Sequence, residues 1–199
     1  MKRIFTVAAF GLSLLVASGG ACFAQDLEKA DAAYNSGEYA TALRELRYLA
    51  ERGNADAQFR LGVMYEEGKG DIQDYAQALK WYVRAALQDD GDAQYNIGQM
   101  YYNGRGVAQD YAEAVKWYKL AVGNFSEAAM LRLGMLYSLE STGYNDRVHA
   151  HMWLNIAAIT GDELAIKLRD NLSKIMTTAD VDKAQQLARA CVAKKYKGC

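Results

Sequence analysis

The chain has 199 residues, is 51% apolar and 24% charged, and sets 23 basic against 24 acidic side chains for a formal net charge of −1. That balance excludes the broad basic surface that nucleic-acid binding needs, so no nucleic-acid partner is expected. Proline is absent, which suits helices joined by glycine, asparagine and aspartate turns, and the length is ample for a core. Residues 1–24 read as a signal peptide. Lys2 and Arg3 make a charged n-region, and residues 4–16 are an apolar run too short to span a bilayer comfortably. Small residues follow, and Cys22-Phe23-Ala24 places small side chains at the two positions a signal peptidase reads. Cleavage after Ala24 is expected, giving a periplasmic or secreted chain from Gln25 with no membrane span. The alternative is a lipid anchor on Cys22, which fits less well because bacterial lipoprotein signals resemble Leu-x-small-Cys and Gly19 stands in the leucine place.

Residues 25–54 read as a capping hairpin of two helices. Leu27, Ala30, Ala33 and Tyr34 recur at helical spacing, Ser36-Gly37-Glu38-Tyr39 is a tight turn, and Ala42, Leu43, Leu46, Leu49 and Ala50 form the second stripe. Gly53-Asn54 is a helix stop. Residues 55–90 form the next unit. Ala57, Leu61 and Tyr65 share one helix face, and Gly62 beside them lets a partner helix come close. Asp74 is placed to cap a second helix carrying Ala78, Trp81 and Ala85. Residues 91–123 repeat this with Ala93, Ile97, Gly98, Tyr101, the cap Asp110 and Ala114, Trp117 and Ala121; Glu113 offers a capping box. Residues 124–160 hold Ala129, Leu133, Gly134, Tyr137, Asp146, Ala150, Trp153 and Ala157, but the loop glycines have become Glu140 and Thr142. The three tryptophans stand 36 residues apart, and the glycines, tyrosines and aspartates share that step. Such a period marks a repeat architecture. Residues 161–199 read as a C-terminal pair of capping helices. Leu164, Leu168, Leu172 and Ile175 are expected inside the first, and Val181, Ala184, Leu187, Ala188 and Cys191 inside the last. The fold class is all-α, an α-solenoid of about five antiparallel helical hairpins.

After cleavage two cysteines remain, Cys191 and Cys199. An even count in an oxidising compartment favours a bridge. Along one straight helix they would stand roughly 12 Å apart, too far to join. A bridge therefore requires the helix to end near Lys195 and Lys197-Gly198 to curl back. The other reading is a buried Cys191 acting as a small apolar residue, with Cys199 on a loose tail.

The pattern Ala-x-x-x-Leu-Gly-x-x-Tyr-x-x-Gly-x-Gly…Asp-x-x-x-Ala-x-x-Trp-x-x-x-Ala resembles the Sel1-like repeat, a tetratricopeptide-like unit. It is complete at Ala57, Leu61, Gly62, Tyr65, Gly68, Gly70, Asp74, Ala78, Trp81 and Ala85. The second copy has Ile97 for leucine, and the third lacks the loop glycines. The resemblance implies a solenoid adaptor or regulator that binds other proteins, without enzyme activity or cofactor. It also implies that the first helices line a concave groove. By analogy with tetratricopeptide repeats, Tyr34, Phe59, Val63, Glu66, Tyr95, Gln99, Tyr102, Leu131, Met135 and Ser138 would face it. Aromatics and methionine among polar neighbours suit a protein or peptide partner; some of these side chains are alternatively packing between repeats.

Catalytic and metal chemistry find little support. His149 and His151 are the only histidines, and at two residues apart on a helix they point in different directions. Gly68-Lys69-Gly70 and Gly104-Arg105-Gly106 lack the full P-loop spacing, and Asp89-Asp90-Gly91-Asp92 lacks the EF-hand pattern. A monomeric scaffold of the bacterial envelope that binds a protein segment is the leading expectation. A cell-wall glycan-associated protein whose tyrosines stack on sugars is the alternative.

Overall fold

Short polar side chains decide where the helices begin. The computed structural model describes residues 17–199, with side chains from Asp26 onward. The charged and apolar parts of the expected signal peptide, and the side chains of Cys22 and Ala24, lie outside the described residues. Ten helices follow one another: α1 Ala17–Asn35, α2 Tyr39–Glu51, α3 Ala55–Glu67, α4 Tyr75–Ala86, α5 Gly91–Asn103, α6 Tyr111–Gly123, α7 Glu127–Ser138, α8 Arg147–Ile159, α9 Glu163–Ser173 and α10 Thr178–Ala193. No strand occurs among the described residues. Asp74, Asp110 and Asp146 cap α4, α6 and α8 by accepting from backbone N–H groups two or three residues further on. Asn54, Asp90 and Asp162 do the same for α3, α5 and α9. Each such cap is worth about 1 kcal/mol. The capping box expected of Glu113 does not form: the Asp110 N–H donates to the Tyr101 carbonyl, and the Glu113 carboxylate pairs with Lys116.

The helices pair as α1–α2, α3–α4, α5–α6 and α7–α8, and each second helix packs on the next first helix. This is the stacking of a solenoid. A glycine sets the closest approach within each repeat. A Cβ on Gly62 would lie 2.6 Å from the Tyr82 ring, and one on Gly98 would lie 2.6 Å from Tyr118. Leu154 takes the tyrosine's place against Gly134. Tyr82 and Tyr118 are fully buried, so these rings are as much the centre of each repeat as the tryptophans.

Three details differ from the sequence reading. Trp81 and Trp153 are buried, but Trp117 is only half-buried. The Arg84 guanidinium lies 4.4 Å above Trp81, and Trp153 sits beneath the C-terminal segment. The residue matching Arg84 beside Trp117 is Leu120, which is exposed. The last two helices do not form a fifth hairpin: α10 packs on α8 rather than on α9. Its buried side chains are Ala184, Ala188 and Cys191. The reason is legible in α9, where Arg169 and Asp170 occupy the places of the repeat leucine and glycine and leave no apolar seat for a partner. Consequently Leu164 and Ile175 lie exposed rather than inside, and Ala165 is the one fully buried residue of α9. In the third repeat's loop Thr142 replaces a glycine. It is buried, and its hydroxyl donates to the Leu136 and Leu139 carbonyls in a short 3-10 turn, Glu140–Thr142.

Past α10 the chain turns back through positive φ at Lys195, Tyr196 and Gly198. Cys191 and Cys199 are joined by a disulfide with Cα atoms 5.6 Å apart. The tail lies against α6: Tyr196 meets Phe125 edge-on at 5.9 Å, and Lys119 Nζ donates to the Cys199 carbonyl at 2.8 Å. Among the described residues no helix is long and apolar enough to cross a membrane.

Candidate protein-binding groove

The side chains expected to face the groove fall into three columns along α3, α5 and α7. Phe59, Tyr95 and Leu131 form one; Val63, Gln99 and Met135 the second; Glu66, Tyr102 and Ser138 the third. All are half-buried except Ser138, which is exposed. Tyr34 on α1 is half-buried as well. Half-burial at every repeat gives a surface that is both held in place and open to contact.

Phe59, Tyr95 and Gln99 rest on the buried tyrosines behind them. The Phe59 ring lies 5.9 Å from Tyr82, and Tyr95 lies 5.8 Å from Tyr118. Polar bonds fix the remainder. Tyr82 Oη–H donates to Glu66 at 2.8 Å, and burial, then the Glu66 charge, push the phenol far above its usual range. The hydrogen-bond pattern sets the Gln99 amide: its oxygen accepts from Tyr95 Oη–H at 2.6 Å and from Arg132 Nε at 3.0 Å, and its nitrogen donates to Tyr118 Oη at 3.0 Å. Tyr34 receives Lys69 Nζ at 2.5 Å and donates to Glu67 at 3.1 Å, with Tyr39 edge-on at 5.4 Å. Tyr102 lies 5.4 Å from Tyr111. The Ser138 hydroxyl bonds back to the Gly134 carbonyl at 2.7 Å and is thereby occupied.

The structure brings Tyr34, Phe59 and Val63 to one cavity of about 540 Å³, walled by Asp31, Arg60, Asp56, Asp90 and Asp92. Asp31, Arg60 and Asp56 escaped the sequence reading, which weighed Asp90 and Asp92 only as a calcium loop. Arg60 is paired with Asp31 on α1. Asp90 caps α5, and burial pushes its carboxyl above the usual range, with Asp92 and Asp56 adding to the effect. Glu66 lies away from this cavity, in a second depression with Tyr82, Asn96 and Arg105.

Between repeats a buried amide latch was also missed. Gln58 Nε2 donates to the Ala50 carbonyl at 3.0 Å, and Gln94 Nε2 to the Ala86 carbonyl at 3.1 Å. Gln88 and Asn124 close each latch from outside. The signal was available, since Gln58 and Gln94 recur at the repeat step, as do Tyr82 and Tyr118.

The histidines have structural surroundings. His149 Nδ1 lies 2.6 Å from the capping Asp146, and its ring stacks on Tyr137 at 5.6 Å. His151 is buried, with Nε2 2.9 Å from Ser173 Oγ on α9. Burial, then the Arg169 charge, depress its pKa. Among the described residues no three His, Cys, Asp or Glu side chains are grouped to hold a metal.

Comparison with known proteins agrees with this architecture. The Sel1 repeat model matches residues 55–90, 91–122 and 127–162. A crystal structure of a Sel1 repeat protein from Oxalobacter formigenes superposes with a TM-score of 0.65 at 26% identity, over 91% of this chain and 68% of that one. The c5321 protein, described as a protective antigen of uropathogenic Escherichia coli with an SLR fold, gives 0.50 at 24% identity, over 87% of this chain and 48% of that one. The present chain thus spans about half the length of the second relative. No curated protein matches the chain.

Proposed function

The chain belongs to the Sel1 repeat family, whose repeats are commonly protein–protein interaction scaffolds, and we propose that it is a non-enzymatic adaptor or regulator of the bacterial envelope that binds a protein or peptide segment in its groove. The observation that carries this reading is the recurrence of half-buried apolar and amide side chains on α3, α5 and α7, at Phe59, Tyr95 and Leu131 and at Val63, Gln99 and Met135. Phe59, Tyr95 and Gln99 are braced from behind by Tyr82 and Tyr118 while remaining partly open, so a partner finds contacts there that lose little side-chain entropy on binding. The signal-like residues 1–24 support export to the periplasm or beyond. Near-neutral charge argues for a protein rather than a nucleic-acid partner. A monomer is the working unit.

Glycan binding is the weaker reading. The rings of Tyr34, Tyr95 and Tyr102 are engaged with Tyr39, Tyr118 and Tyr111, which leaves less aromatic face for a sugar. Affinity capture of residues 25–199 from an envelope extract tests the proposal, with Phe59→Ala/Tyr95→Ala and the milder Met135→Arg alongside. Loss of the same captured proteins with both folded variants supports the groove. Unchanged capture by both refutes it. Pelleting with purified peptidoglycan tests the alternative.

A further inference from the structure

Arg60 and Arg132 stand two repeat lengths apart, at the same place on their helices, and each reaches back to the preceding first helix. Arg60 finds a carboxylate there, Asp31. Arg132 finds Tyr95 and Gln99, two neutral groups, which accept from Nε and Nη2. Among the described residues no ion pair involves Arg132. Its guanidinium is half-buried, held by bonds to side chains that themselves lean on buried Tyr118, and short of a counter-charge. The chain therefore contains its own template for what completes such an arginine, namely a carboxylate. Planar guanidinium groups take carboxylates in paired hydrogen bonds, and a pre-oriented fork loses little entropy in doing so.

The other end of the groove carries the opposite sign. The cavity between α1, α3 and α5 has the Phe59 and Val63 side chains within it and Asp56, Asp90 and Asp92 around it. The one cation there, Arg60, is paired with Asp31. All three carboxylates border this one cavity.

We infer that the groove takes an extended protein segment that places an acidic side chain on Arg132 and a lysine or arginine in the Phe59 cavity beside Asp56 and Asp92. This rests on the groove being the binding surface and adds the chemistry of its occupant. The two sites share α5, which carries Asp92 at the cavity and Tyr95 and Gln99 under the Arg132 guanidinium, so a single extended segment reaches both. The carboxylate belongs to a side chain rather than to a chain end, because the stack continues past α7 to α9 and does not require the segment to stop.

The test is selection of phage-displayed random dodecapeptides, flanked on both sides by glycine–serine spacers, on the purified protein. Arg132→Gln, Arg132→Lys, Asp56→Asn/Asp92→Asn and Met135→Arg serve as parallel baits, each checked for helix content and melting. Enrichment of peptides carrying both a basic and an acidic residue at a constant separation is expected. Arg132→Gln should bind those peptides about tenfold or more weakly, since a hydrogen bond to a charged group is being removed. Arg132→Lys, which keeps the charge and loses the fork, should fall between. The aspartate pair should lose the preference for the basic residue alone. Peptides enriched without charge preference, yet lost on Met135→Arg, leave the groove standing and overturn the charge pairing. Binding that appears only with synthetic peptides having a free C-terminal carboxylate, and vanishes on amidation, overturns the side-chain assignment. No enrichment over Met135→Arg overturns both this inference and the groove itself.

Discussion

Gly98→Ala is the sharpest test of how the repeats are held together. The new Cβ would lie 2.6 Å from Cδ1 and Cε1 of Tyr118, about 1 Å inside an ordinary carbon contact. The ring has no retreat. It is fully buried, its hydroxyl is bonded to Gln99 at 3.0 Å, and Tyr95 lies 5.8 Å away on its open side. Overpacking of this kind costs about 2–3 kcal/mol, and alanine's better helix propensity returns about 1 kcal/mol. The net loss is about 1–2 kcal/mol, or roughly 2–8 °C in melting temperature for a chain of this size. Gly123→Ala is the matched control, because nothing lies within 4 Å of its added Cβ; it should leave stability unchanged or raise it by a few tenths of a kcal/mol. Urea and thermal melts followed by circular dichroism read both. A Gly98→Ala protein as stable as the parent would refute the idea that glycine sets the helix approach.

Three further outcomes follow from named contacts. Gln94→Met copies the residue at the same place in the third repeat, Met130, but strips the buried Ala86 carbonyl of its donor; a loss of about 1–2 kcal/mol is expected in urea melts. His151 gives a pH signature. Its pKa is depressed by burial below the ordinary 6.5, so the unfolded chain takes up the proton first as pH falls. Stability should be full above pH 6.5 and decline below it until the folded-state pKa is reached, and His151→Gln should remove that slope from melts run across the range. The Cys191–Cys199 bridge should give an unreduced mass lower by two hydrogens. Cys199→Ser should cost at most about 2–3 kcal/mol, given the short loop it closes, and should free Tyr196 from Phe125; two free thiols in the untreated protein would rule the bridge out.

The helices and their stacking were legible because the constraint is local and repeated. Glycine, aspartate and alanine at a fixed step specify caps and close approaches wherever they recur, and each repeat makes the same contacts as the last. The same logic marks its own limits. Residues repeated only twice, such as Gln58 with Gln94 and Tyr82 with Tyr118, carry as much of the packing and were passed over beside the threefold tryptophans. Trp117 follows the pattern yet stays half-exposed: Arg84 covers the ring of Trp81, and the matching place beside Trp117 holds the exposed Leu120.

The sequence by itself determined the class of fold and the helix starts, since these depend on side chains three and four residues away. Only the tertiary structure decided what the side chains of the first helices meet. It paired Arg60 with Asp31, left Arg132 with neutral partners, gathered three aspartates around Phe59, and sent α10 across α8. Each of those outcomes joins residues from different repeats or from the chain's end, where the period no longer dictates the partner and geometry in three dimensions does.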